Sequence, residues 1–155
     1  MAAFESHLQP TAGALEAIET AVGAGWYVWI VTQSSQQLVL QYLQDHCCSP
    51  RVLIMSCDEL KVAKPHAKVY AQVMRRTIQL SQKIESFYMI SAHPWDLEGS
   101  KNVSMKTVHV TNVPESYGEQ VYGRRPDLVG INPLDCVEKV MEYEHRIQVQ
   151  YAALL

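Results

Sequence analysis

Three short stretches hold the residues of this chain that could do chemistry: Thr32-Gln33-Ser34-Ser35, Ala63-Lys64-Pro65 and Ser91-Ala92-His93-Pro94-Trp95-Asp96. The first offers hydroxyls and backbone N–H groups just ahead of a helical pattern, an arrangement that receives a carboxylate or phosphate. A serine there is also an ordinary N-cap, a role that needs no ligand. The second sets a lysine before a proline, which biases Lys64 away from helical geometry. The third sets an imidazole three residues before a carboxylate. His93 is the side chain best suited to proton transfer near neutral pH, and Asp96 taken alone can simply cap a helix. Together these groups suit anion binding, oxyanion stabilisation and acid–base transfer.

The elements that must position them follow from periodicity. Pro10-Thr11 opens a helix to about Val22, with Leu15, Ile18, Ala21 and Val22 on one face, and Gly23 and Gly25 stop it. Tyr27 to Val31 is a continuous apolar, β-branched and aromatic run, as expected of a strand buried on both faces of a parallel sheet. Ser34 or Ser35 caps the next helix, whose inner face uses Leu38, Val39, Tyr42 and Leu43. A strand follows at Val52 to Met55. The helix from His66 to about Leu80 turns Val69, Tyr70, Val73, Met74 and Ile78 inward. Phe87 to Ile90 is a strand, Trp95 to Asn102 a short helix, and Thr107 to Val110 another strand. A polar loop from Asn112 to Pro126 precedes Leu128-Val129, and a last helix starts near Pro133 and runs to the mid-140s or beyond. Strands alternating with helices predict a parallel α/β sheet, in which ligands sit at the carboxyl ends of the strands. All three motifs fall there.

The chain of 155 residues predicts a single domain, with a leader at 1–9, a core at 10–145 and a helix end or tail at 146–155. A net charge of −3 with no basic stripe argues against nucleic acid as a partner. No apolar run reaches the length needed to span a bilayer, and no signal peptide is expected. The four cysteines form no disulfide framework or metal-binding pair, so free thiols in a cytoplasmic protein are expected. No cofactor and no metal is expected, since a single Asp96 is a poor cation site.

The three stretches resemble the later motifs of the haloacid dehalogenase superfamily, and more closely its 2-haloacid dehalogenase branch than its phosphatases. Ala63-Lys64-Pro65-His66-Ala67-Lys68-Val69-Tyr70 is similar to the family's Lys-Pro-x-x-x-x-Tyr pattern. Ser91 to Asp96, with Gly99-Ser100-Lys101 after it, is similar to the dehalogenase Ser-x-Asn/His-x-Trp-Asp signature. Gln33 stands where the family has Asn. The resemblance covers about Pro10 to Tyr143 and implies a three-layer, Rossmann-like α/β fold, a parallel sheet with helices on both faces. It also implies that Lys64 steadies the charge of a nucleophilic aspartate and that Asp96 pairs with Lys64. That aspartate belongs on an earlier, central strand, and the first aspartate of this chain is Asp45. The central first strand, its nucleophile and the cap domain are therefore expected to be missing. A gap should then open between the strands at Tyr27 and Phe87, either closed by direct pairing or covered in a homodimer.

Three functions compete on this reading. The first is a non-hydrolytic acid–base enzyme, an isomerase, dehydratase or cyclase, acting on a small organic molecule. In it His93, Lys64 and Asp96 are catalytic, Thr32, Gln33, Ser34, Ser91, Trp95 and His66 bind substrate, and Tyr117 helps to line the pocket. The second is a non-catalytic binding protein. The third is a dehalogenase-type hydrolase with a relocated or partner-supplied nucleophile, Asp58 and Glu59 being the in-chain candidates.

Overall fold

The computed structural model describes residues 9–111 and 123–154. Most of the leader and much of the loop after Asn112, Tyr117 included, lie outside the described residues. The first helix, α1 (Ala14–Gly23), starts later than the Pro10 expected from sequence. Its preceding residue, Gly13, takes φ 85°, and a Cβ there would stand 3.1 Å from Asn132 Oδ1, so only glycine turns the chain at this point. Then come β1 (Trp29–Thr32), α2 (Gln36–Asp45), β2 (Leu53–Ser56), a single turn α3 (Cys57–Leu60), and α4 (Ala67–Ser81). The chain continues through β3 (Tyr88–Ser91), α5 (Pro94–Lys101), β4 (Lys106–Val110), β5 (Leu128–Gly130) and α6 (Pro133–Leu154). The turn α3 was not expected; Ser56 caps it by accepting from the Asp58 N–H.

Alternate residues of each strand feed opposite helical layers, which is why the strand sequences are apolar throughout. Val28 and Ile30 pack with Val22, Leu43 and Val52 under α1 and α2. Trp29 and Val31 turn the other way, against Val69, Tyr70 and Val73 of α4. Across the molecule Tyr88 and Ile90 meet Val140 and Cys136 of α6, while Phe87 and Met89 join the α4 side. The result is three layers, helices on both faces of parallel strands. Among the described residues no helix is long and apolar enough to cross a membrane.

The sheet is in two pieces. β1 pairs with β2 in parallel, and β3, β4 and β5 form a separate parallel set. Among the described residues no ladder joins β1 to β3, so the gap expected from sequence is present and direct pairing of the two edges does not occur. The helical layers set this spacing. Ala17 and Ala21 of α1 pack on Val137 of α6 beneath both pieces, and α4 draws Trp29 and Met89 into one cluster above them. Between the edges runs a slot of about 880 Å³, walled by Trp29, Ile30 and Val31 on one side and Tyr88, Met89 and Ile90 on the other.

Burial also separates the thiols. Cys136 is fully buried, its thiol 3.8 Å from the His109 carbonyl, and burial together with the neighbouring Asp135 charge pushes it up to about 11. Cys47 is exposed. Alkylation of the native chain near pH 8 should therefore modify Cys47 first and leave Cys136 intact until unfolding, as peptide mass mapping over time would show.

Candidate active site

The loop from α3 to α4 delivers Lys64, and the first turn of α5 delivers Asp96. They meet at one end of the slot, with Lys64 Nζ 2.9 Å from Asp96 Oδ2 and side-chain exposures of 12% and 3%. The other carboxylate oxygen, Oδ1, accepts a short hydrogen bond from the Tyr70 hydroxyl of α4. Three segments thus converge on one buried acid. Its position in the first turn of α5 also favours negative charge, because the helix N-terminus carries partial positive charge. Tyr70 is fully buried, and burial first, then the Asp96 hydrogen bond and charge, push its hydroxyl above the ordinary range, so it stays protonated and donates.

Close packing holds this arrangement. A Cβ on Gly99 would lie 2.6 Å from Pro65 Cβ and 2.9 Å from Tyr70 Cε2, so α5 can approach the lysine loop only with glycine at that position. Trp95 stands beside the ion pair, its ring centroid 5.6 Å from Lys64 Nζ. The exposed His93 ring stacks on Trp95 at 5.4 Å between centroids. Ser91 Oγ accepts the His93 N–H at 3.1 Å, which shapes the turn from β3 into α5.

Lys64, Ser91, His93 and Asp96 therefore line the same slot, with Trp95 touching two of them. The other expected residues make contacts of their own. Thr32 Oγ1 accepts the Ser34 N–H at 3.0 Å and closes a local turn at the end of β1. Ser35, one of the two serines expected to cap α2, does so, and the Ser34 carbonyl accepts from Ser56. Gln33 lines a shallow cleft of about 380 Å³ with Cys57, Asp58 and Lys61. His66 is exposed, and its Nδ1 caps α4 by accepting from the Lys68 N–H. Asp58 shares the Gln33 cleft, and Glu59 pairs with Arg76 at 3.3 Å, so neither lines the slot. The sequence shows Tyr70 as a core position and as the last residue of the Lys-Pro-x-x-x-x-Tyr stretch, but not that its hydroxyl reaches Asp96. Among the described residues, no group of three or more His, Cys, Asp or Glu side chains gathers as a metal cluster would.

The lysine, its buried aspartate and their place at the carboxyl ends of parallel strands can now be set beside known proteins. Residues 1–110 match the family model described as haloacid dehalogenase-like hydrolase. The chain belongs to that family. Its fold resembles L-2-haloacid dehalogenase from Xanthobacter autotrophicus with chloropropionic acid covalently bound, at TM-score 0.72 and 18% identity, over 88% of this chain and 63% of that one. A second L-2-haloacid dehalogenase superposes at TM-score 0.71 and 18% identity, over 90% of this chain and 59% of that one. A dehalogenase solved with an intermediate complex gives TM-score 0.66 and 21% identity, over 79% and 53%. At these identities the likeness is one of fold. The haloacid dehalogenase-like chain spans between 53% and 63% of the length of these solved structures. No curated protein matches it in sequence.

Two expectations follow. Asp96→Ala leaves the Lys64 ammonium and the Tyr70 hydroxyl without their acceptor, and should cost about 3–5 kcal/mol in urea unfolding. Tyr70→Phe keeps the ion pair and should cost only about 1–3 kcal/mol. The raised Tyr70 value adds a pH signature. Its stabilisation is full below the unfolded tyrosine value near 10 and is lost as pH rises beyond it. Tyr70→Phe should thus flatten the loss of stability above about pH 10, a limb it shares with the similarly raised Tyr88.

Proposed function

We propose that the slot end around Lys64 is the charge-stabilising part of a hydrolytic site for a small 2-substituted carboxylic acid, completed by a carboxylate nucleophile seated in the slot. The observation that supports this reading is the Lys64–Asp96 pair at the open end of the slot. An ammonium has three donors, and one of them is committed to Asp96. The others are available for a second anion, either the nucleophile's carboxylate or the substrate's. Asp96 itself is a poor nucleophile, because both its oxygens are engaged by Lys64 and Tyr70.

In the proposed reaction a carboxylate oxygen attacks the substituted carbon, the carbon–halogen bond breaks, and halide leaves with the bonding pair. Water then adds to the ester carbonyl, the bond from the carbonyl carbon to the substrate oxygen breaks, and one water proton goes to the departing alkoxide and the other to solvent, so that the carboxylate is regenerated with the hydroxy acid as product. Lys64 stabilises the carboxylate before attack and the carbonyl oxygen during hydrolysis, where fixed charge counts most. His93 and Trp95 sit at the mouth. The Xanthobacter structure with chloropropionic acid covalently bound suggests the size of substrate.

A second reading is favoured by His93 lining the same slot and stacking on Trp95, 5.4 Å from its centroid. On this reading His93 transfers a proton while Lys64 holds an enolic or anionic oxygen, giving isomerisation, dehydration or cyclisation without a covalent ester. Halide release from 2-chloropropionate separates the two, measured on the full chain with a strand peptide ending in aspartate. The hydrolytic reading expects release that falls roughly 10²–10³-fold in Lys64→Met and vanishes with an asparagine peptide. Non-hydrolytic turnover lost in both His93→Ala and Lys64→Met, with no halide released, would select the second reading. A folded chain with neither activity would overturn both and leave a binding protein.

A further inference from the structure

We propose that the second half of α6 is an interface that pairs, antiparallel, with the same half-helix of a second copy of this chain. The sequence supplies the first argument. Val137, Val140, Glu144, Ile147, Tyr151 and Leu154 follow one another at alternating steps of three and four, the period by which one helix seam meets another. The structure divides this seam in two. Val137 packs with Ala17 and Ala21 of α1, and Val140 with Val108 and Val110 of β4. Glu144 then accepts from the Ser86 and Tyr88 hydroxyls, and Gln148 lines the N-terminal end of the slot. Past these contacts the seam comes to the surface. Ile147 is half-buried, Tyr151 is 66% exposed and Leu154 82%. The helix that covers the first half, α1, starts beside Asn132 and Leu134 and ends at Gly23. An apolar stripe thus continues, in the register its buried half already uses, where a second helix would fit.

Charge and flanking residues select a second copy as the occupant. No residue from Ile147 to Leu154 is charged, so two such half-helices meet without repulsion. Arg146 pairs with Glu142 at 3.3 Å, and both lie off the seam. In an antiparallel pair, Ile147 of each copy stands level with Tyr151 of the other, which sets Gln148 opposite the partner's Gln150. An amide both donates and accepts, so that flank is complementary to itself. A seam that selects a different helix commonly carries charges at these flanking positions instead. The same register brings Leu154 level with the partner's Glu144, beside Ile84, which is 96% exposed and two residues from Ser86. The charges around that place balance, Lys83 and Lys106 against Glu85 and Glu144. Lys106 lies over the Tyr88 and Tyr143 rings, and two hydroxyls hold Glu144. Antiparallel pairing also keeps the two bodies at opposite ends, where parallel pairing would press them together. The exposed stretch is only about 12 Å long, which gives a small interface and a dimer in exchange with monomer. This pairing needs neither the hydrolytic reading nor any occupant of the slot.

The test is analytical ultracentrifugation of the full chain over a range of concentrations, with Tyr151→Glu and Val149→Glu as paired variants. Tyr151 is on the seam, whereas Val149 lies on the outward face, two turns after the exposed Glu142. Both are exposed, at 66% and 55%, so neither substitution touches the core, and circular dichroism checks that the helix is kept. The mass of the unmodified chain should climb with concentration from one copy towards two. Tyr151→Glu, which sets a charge in the apolar seam, should weaken association about ten-fold or more. Val149→Glu should leave it unchanged to within about two-fold. A monomer at every concentration would overturn the proposal. A dimer that survives Tyr151→Glu would overturn it in favour of another surface, the slot edges included. Equal loss in both variants would overturn the seam, because the helix end would then associate with no preferred face.

Discussion

One buried carboxylate organises one end of this molecule. Asp96 is nearly inaccessible, and an ionised acid in that position is tolerable only because each oxygen has its own donor, Lys64 on one side and Tyr70 on the other. Those donors come from separate segments, the loop before α4 and α4 itself, while the acid rides on α5. Satisfying the charge therefore fixes three backbone segments relative to one another. Gly99 lets them come close enough, since any side chain there would strike Pro65 and Tyr70. The same contacts hold the lysine at the end of the slot.

A second constraint runs along the strands. Backbone hydrogen bonding asks every buried strand edge for a partner, yet the side-chain layers hold β1 and β3 apart. Collapse of the slot would need α1, α4 and α6 to move together, because clusters of their side chains reach both half-sheets. Packed helical layers do not deform piecemeal, so packing wins over pairing here. The fold is consequently that of a haloacid dehalogenase-like hydrolase with a place left between two strands. The Lys64–Asp96 ion pair stands at one end of that gap.

Much of this was legible in the residues. The apolar runs at Tyr27 to Val31 and Phe87 to Ile90 named their strands, because strands covered on both faces need no polar side. The Lys64-Pro65 and Ser91 to Asp96 stretches stood out through their resemblance to the family's motifs. The start of α1 was misread, since Pro10-Thr11 looks like a helix opening and only the packing of Gly13 against Asn132 sets the turn later. The types of Gln33, Ser34 and His66 did not show that Gln33 lines a cleft with Asp58, that the Ser34 carbonyl accepts from Ser56, or that His66 caps α4. Local hydrogen bonds claimed the backbone or ring atoms of Ser34 and His66.

What the sequence determined by itself was the alternation of elements and the identity of the charged groups, because both depend on residue type and on periods of two and 3.6. Only the tertiary structure decided which groups meet. Lys64 and Asp96 are 32 residues apart, and Tyr70 reaches the same acid from 26 residues away. Contacts of that range depend on how α4 and α5 lie across the strands. The slot was likewise fixed by helix packing, because the spacing of β1 and β3 is set by the layers above and below them and by no local pattern in either strand.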